Sequence, residues 1–193
     1  MSRPPLRLVE VGPRDGLQTS GTILTVEAKV SFVDALSLSG LREIETGAFV
    51  SPKAVPQMAD SDQVFARIAR RPGVIYSALV PNEKGLERAI AAKAGKISVF
   101  TAASETFNQK NIQASIPESI ERFKPVVAGT RAAGLPLRAY VSTAFYCPYE
   151  GKIEPKAVLD VVRRIQDSNV DEYSIGDTIG RASPDDVRRL LEL

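Results

Sequence analysis

A chain of 193 residues, 44% apolar and 25% charged, has the make-up of an ordinary globular domain with enough length for a real core. Its formal net charge of +2, with Arg70-Arg71 and Arg163-Arg164 reading as solvated helix faces, offers nothing for nucleic acid. No apolar run approaches the ~20 residues of a membrane span, and a first strand beginning so near Met1 leaves no room for a signal or transit peptide.

Residues 6–11 read as an apolar strand, broken by Gly12-Pro13, with Arg14-Asp15 in the turn before the chain becomes helical. Thr25 is placed to cap a helix in which Val26, Val30, Val33 and Leu36 recur at helical spacing and Gly40 is the stop. Residues 42–46 form the second strand, ending at Gly47. Ser51-Pro52 opens a loop, and a helix over residues 60–70 is closed by Pro72-Gly73. Residues 74–80 are the third strand, 83–94 a helix and 97–101 the fourth strand. Residues 102–115 read as a long polar loop, and a loop of that length is more often functional than idle. Pro117 introduces a helix that runs to residue 133 and ends at Gly134. A fifth strand follows over 137–143, a helix over 155–168 and a sixth strand over 172–175. Ser183-Pro184-Asp185-Asp186 starts a last helix, with Ser at the N-cap, Pro at the first helical position and acids in the first turn.

Alternating βα units without hairpin signals imply a parallel sheet with helical crossovers. The sequence has no Gly-x-Gly-x-x-Gly turn, so a dinucleotide-binding Rossmann reading loses its main support. A (β/α)8 barrel takes about 250 residues. The expected fold class is therefore α/β: a TIM barrel truncated after about six βα units. Residues 1–193 would form a single incomplete catalytic domain whose first and sixth strands are open edges.

Catalytic groups of such a barrel stand where strands end. That rule selects Arg14 and Asp15, Glu45 and Thr46, Ser104 and Glu105, Ser142 and Thr143, Cys147 and the residues beyond it, and Asp177 and Thr178, all converging on one mouth. The chain has no histidine, so a metal site would rest on oxygen ligands, which suits a hard divalent cation such as Mg²⁺ or Mn²⁺. Each residue also has a plainer reading. Asp15 is a metal ligand or the cap of its own turn. Glu45 shares a strand face with Glu43, and buried there it needs a partner. Arg14 is the obvious one, so a structural ion pair stands beside a catalytic role. Asp177 is a functional carboxylate or the cap of the Gly176 turn. Cys147 reads as an inert small residue, and a single cysteine excludes an internal disulfide and suits a reducing compartment.

The string Val9-Glu10-Val11-Gly12-Pro13-Arg14-Asp15-Gly16-Leu17-Gln18 resembles the N-terminal signature of the hydroxymethylglutaryl-CoA lyases. Further matches are Phe49-Val50-Ser51-Pro52-Lys53, Ala102-Ala103-Ser104-Glu105, Cys147-Pro148-Tyr149-Glu150-Gly151 and Gly176-Asp177-Thr178-Ile179-Gly180, in the same order. The resemblance implies cleavage of 3-hydroxy-3-methylglutaryl-CoA, or a close 3-hydroxyacyl-CoA, to acetoacetate and acetyl-CoA, as in leucine degradation. It implies a divalent cation on Asp15, catalytic roles for Arg14, Glu45 and Asp177, and substrate contacts from Arg14, Gln18, Ser142 and Thr178. The family's His-x-His and Asn ligands and its Gly-rich loop with a catalytic Cys would fall beyond residue 193, so the chain alone is expected to be inactive. Tyr146 and Ala182 depart from the family's pattern and bear on substrate preference. Two other readings remain: a Claisen-type acyl-CoA/2-keto acid condensing enzyme of the same superfamily, and a non-catalytic βα assembly acting by association. A cytoplasmic protein with an acyl-CoA substrate, no nucleic acid and no membrane is expected, and a homo-oligomer is compatible with it.

Overall fold

The computed structural model describes residues 6–193, which fall into two compact units that divide between Ile97 and Ser98. In the first, helix α1, Val26–Ser37, begins at Thr25, whose side chain accepts from the Ala28 amide at 3.2 Å as an N-cap should. Strand β1, Glu43–Ala48, is buried throughout. It pairs in parallel with β2, Ile75–Leu79, and the register shifts between Glu45 and Gly47. Helix α2, Ser61–Arg67, covers β1 at Gly47, where an added Cβ would lie 2.8 Å from the Ser61 hydroxyl. Helix α3, Glu83–Ala91, is capped by Asn82, and Val33, Ile44, Phe49, Phe65, Tyr76 and Leu86 are among the side chains that fill the core of this unit.

Strand β3, Lys96–Ala102, begins in the first unit and ends in the second. There, helices α4, Glu105–Ile112, and α5, Ile116–Ala132, precede strand β4, Leu137–Ser142. A short ladder of β5, Tyr146–Cys147, and β6, Gly151–Lys152, leads to helix α6, Pro155–Gln166. Strand β7, Glu172–Ile175, pairs in parallel with β4, and helix α7, Pro184–Leu191, comes last. Val99, Phe123, Val126, Leu137, Val141 and Ile165 are among the core residues here.

Four expectations need correction. The strand expected over residues 6–11 contracts to one parallel bridge, Glu10 with Ile44, held by Glu10 N to Glu43 O at 3.1 Å and Glu45 N to Glu10 O at 2.7 Å. Leu6 and Leu8 are exposed, so no buried face holds them as a strand, and the Gly12 amide turns onto the Glu10 carboxylate at 2.6 Å. The helix expected over 60–70 stops at Arg67, because Ile68 is extended at φ −63°, ψ 143°. The loop expected over 102–115 contains α4, capped by the Ser104 hydroxyl, which accepts from the Phe107 amide at 3.0 Å. The absence of hairpins fails at β5 and β6, which pair antiparallel around Pro148, Tyr149 and Glu150.

Candidate active site

In the first unit the chain leaves its bridge at Glu10 and winds into a single wide helical turn, Gly12–Gly16, with the Asp15 amide on the Val11 carbonyl at 2.7 Å. This turn points Arg14 inward. Arg14 is 8% exposed, and its guanidinium donates through Nε to Glu45 Oε2 at 2.5 Å and through Nη1 to Asp15 Oδ1 at 2.7 Å. Glu45 is fully buried on β1, whereas the Asp15 side chain is 59% exposed. Arg14 therefore joins a buried anion to an accessible one. Glu43, on the same face of β1, is also fully buried and is bound by Arg7 and by Lys96 Nζ at 3.3 Å. Alternate β1 positions thus carry two carboxylates, each compensated by cations of this unit, as burial of charge demands. Gln18 lies half-buried beyond the turn, and its Oε1 is a buried acceptor without a hydrogen-bond partner among the described residues.

The expected residues of the second unit gather at the ends of β4 and β7. Gly176 N donates to Val141 O at 2.9 Å, and Ala144 N donates to Gly176 O at 3.0 Å, which laces the two strand ends together. Ser142 ends β4, and its carbonyl accepts from Ala103 N at 2.9 Å. Thr178 is exposed, and its hydroxyl oxygen accepts from the buried Thr143 amide at 2.7 Å. Asp177 caps its own loop: Oδ1 accepts from Arg181 N at 3.0 Å and Oδ2 from Ala182 N at 2.9 Å. The geometry of Asp177 is that of the plainer of its two readings. Cys147 is buried, with Sγ 2.9 Å from the Ser104 hydroxyl and accepting from Tyr149 N at 3.3 Å. Arg14, Asp15 and Glu45 are thus brought together in one unit, and Ser142, Asp177 and Thr178 in the other.

One contact escaped sequence reasoning, that of Glu10, and Tyr146, already singled out as a departure from the family's pattern, gains partners. Glu10 lies inside the signature string, yet only the turn geometry shows that its carboxylate holds the Gly12 amide. Tyr146 carries Arg181 at 5.3 Å and Lys152 at 5.9 Å from its ring centroid, cation–π contacts made across a loop and thus invisible to local spacing.

A divalent cation asks for several hard oxygens. Asp15 offers one carboxylate, already shared with Arg14. Among the described residues no three of His, Cys, Asp and Glu are grouped as ligands. The donor set of this chain does not by itself fit a metal centre. Among the described residues, no helix is long and apolar enough to cross a membrane.

Comparison with known proteins places these features. The HMGL-like family model matches residues 5–193. A 3-hydroxy-3-isohexenylglutaryl-CoA/hydroxymethylglutaryl-CoA lyase of Pseudomonas aeruginosa is 50% identical over 187 residues, covering 97% of this chain and 62% of that protein. The crystal structure of a hydroxymethylglutaryl-CoA lyase from Pseudomonas aeruginosa superposes with a TM-score of 0.93, covering 96% of this chain and 62% of its own at 50% identity. An HMG-CoA lyase of Acinetobacter baumannii, solved with coenzyme A and 3-methylmalate, gives a TM-score of 0.92 at 35% identity, covering 96% of this chain and 61% of that one. The chain spans somewhat under two thirds of the length of these relatives, and its α/β architecture is that of part of their TIM barrel. With the signature turn, the buried Arg14–Glu45 pair and the family model all in agreement, the chain belongs to the HMGL-like family.

Proposed function

We propose that this chain supplies the substrate-polarising part of a carbon–carbon lyase, one catalytic domain of which residues 1–193 form part, that cleaves 3-hydroxy-3-methylglutaryl-CoA or a close 3-hydroxyacyl-CoA. The observation that carries the reading is Arg14, buried, fixed by Glu45 and directed by the same turn that exposes Asp15. In the reaction the 3-hydroxyl loses its proton and the bond between C2 and C3 breaks. The electron pair passes into the thioester as an enolate, which takes up a proton to give acetyl-CoA, while C3 becomes the ketone of acetoacetate. Negative charge grows on the thioester oxygen in the transition state. A preorganised guanidinium in a site of low dielectric stabilises such charge without reorganising, commonly by about 3 kcal/mol. Glu45 acts through Arg14, holding Nε so that the guanidinium keeps one orientation. The buried Oε1 of Gln18 accepts from a substrate donor, and the exposed Thr178 and the strand-end Ser142 bind substrate oxygens.

The family's metal dependence enters through Asp15, whose hard oxygens suit Mg²⁺ or Mn²⁺. No step is assigned to the cation, since a chain with no histidine lacks the imidazole ligands that the resemblance implies. Asp177 supports Thr178 through the loop it caps. A reducing, cytoplasmic setting accords with the single buried thiol of Cys147. The test is calorimetric titration with 3-hydroxy-3-methylglutaryl-CoA, alongside an acetoacetate assay in the presence of Mn²⁺. Acyl-CoA binding that weakens about tenfold or more in Arg14→Met, without turnover by the 193-residue chain alone, is expected. Failure to bind the thioester, or equal binding by Arg14→Met, overturns the substrate assignment. Acetoacetate release by the chain alone overturns the need for further ligands.

A further inference from the structure

Thr143 is buried and left-handed, at φ 53°. The other described non-glycine residues with positive φ, Lys93, Gln113 and Asn169, come just after helices α3, α4 and α6, where a left-handed residue is the usual stop. Thr143 follows a strand and is β-branched, the side-chain class for which this conformation is a true outlier. What the conformation achieves is specific. It aims the Thr143 amide at Thr178 Oγ1, 2.7 Å away, while the Thr143 hydroxyl donates to the Ser142 carbonyl at 2.7 Å. The second bond is the kind of local side-chain to backbone link that lets a short polar residue stay left-handed.

A threonine hydroxyl has one proton and two lone pairs. The buried amide of Thr143 occupies a lone pair of Thr178 from behind, and the Thr178 side chain is exposed on its other side. We propose that Thr143 is a positioning residue: its left-handed backbone fixes the polarity of the Thr178 hydroxyl so that its proton points outward, to an anionic oxygen of the acyl group of the substrate. This rests on the acyl-CoA reading and assigns Thr178 the part of donor within it. The ligand group is a carboxylate or alkoxide, not an amide or alcohol donor.

The test replaces Thr143 and reads two quantities in the 193-residue chain. One is hydrogen exchange of the residue-143 amide by NMR without ligand, and the other is the Kd for 3-hydroxy-3-methylglutaryl-CoA against that for coenzyme A, which lacks the acyl oxygens. Thr143→Val keeps the shape and removes the bond to Ser142, whereas Thr143→Asn and Thr143→Gly give up the shape and tolerate the left-handed backbone. The expected result is amide exchange about tenfold faster in Thr143→Val, with the acyl-CoA Kd raised about tenfold and the coenzyme A Kd unmoved. Both Thr143→Asn and Thr143→Gly recover the slow exchange and the tighter binding. The reverse order, with Val harmless and Gly harmful, marks a packing role and overturns the proposal. So does equal weakening of coenzyme A and acyl-CoA by Thr143→Val. A chain that binds no acyl-CoA ester overturns the functional reading instead, while the order of amide exchange still decides for or against the positioning of Thr178 by itself.

Discussion

Arg14 has two anionic neighbours of different character, and that difference can be measured. Glu45 is fully buried, so truncating it leaves a desolvated guanidinium short of its inner partner. Removing one member of such a pair costs about 3–5 kcal/mol, while replacing both by apolar groups of similar size is close to neutral. Glu45→Ala should therefore lower the urea midpoint strongly, and Glu45→Leu combined with Arg14→Met should recover most of the loss. Additive losses in the double variant would contradict a pair that serves orientation at the expense of stability. Asp15 is different: its side chain is 59% exposed, so Asp15→Asn should leave the midpoint nearly unchanged. The two substitutions thus separate the part of the cluster that is built into the core from the part that faces a ligand.

Elements that present these residues depend on a few close approaches and caps. Helix α3 packs so tightly at Gly85 that a Cβ would meet the Phe49 carbonyl oxygen at 2.5 Å, a backbone atom that cannot swing aside. Gly85→Ala should cost about 1–3 kcal/mol by overpacking, read from thermal or urea unfolding. An unchanged midpoint would mean that the backbone after β1 yields freely. Helix α7 depends on its first turn. The Ser183 hydroxyl and amide, with Lys152, hold the Asp186 carboxyl down from 3.8 to about 2. The folded value lies below the unfolded one, so this contribution is complete above about pH 4 and lost as pH falls through about 2. Amide exchange of residues 184–191 should accelerate over that window, and Ser183→Ala should move the onset upward. The same cap shows what could be read without coordinates. Thr25 and Ser183 cap as the sequence led one to expect, whereas the helix start read from Pro117 is capped by Ser115, whose capping box closes on Glu118. Helix α4 escaped notice because it has no apolar stripe. It is fixed at its start by the Ser104 cap and by Glu150, which accepts from Thr106 N at 2.6 Å across 44 positions of sequence. The bridge at Glu10 was overdrawn as a strand because apolar Leu6 and Leu8 mimic an inward face, yet both are exposed.

At the scale of the whole molecule, the same division of labour governs metal binding. Arg14, Asp15 and Glu45 are neighbours because the bridge of Glu10 to Ile44 sets the Gly12–Gly16 turn beside β1, where Glu45 stands in mid-strand and not at the strand end that the rule supposed. Periodicity and spacing carry no information about a ligand set drawn from several strands, and here one hard ligand is all that the turn offers. A single exposed carboxylate that already shares an arginine binds a divalent cation weakly, roughly in the millimolar range where ligand count is low. Titration of the chain with Mn²⁺, followed by electron paramagnetic resonance, should show such weak uptake, and Asp15→Asn should abolish it. Because the cation competes with Arg14 for Asp15 Oδ1, neutralising the cation's rival should help: Arg14→Met should bind Mn²⁺ more tightly than the unsubstituted chain. Micromolar binding, or uptake indifferent to Asp15→Asn, would place the metal on other oxygens of this chain and separate the metal from the arginine turn. Weaker binding in Arg14→Met would instead mean that Arg14 orients Asp15 for the cation, so that the ion pair belongs to the metal-bound state as well as to the free one.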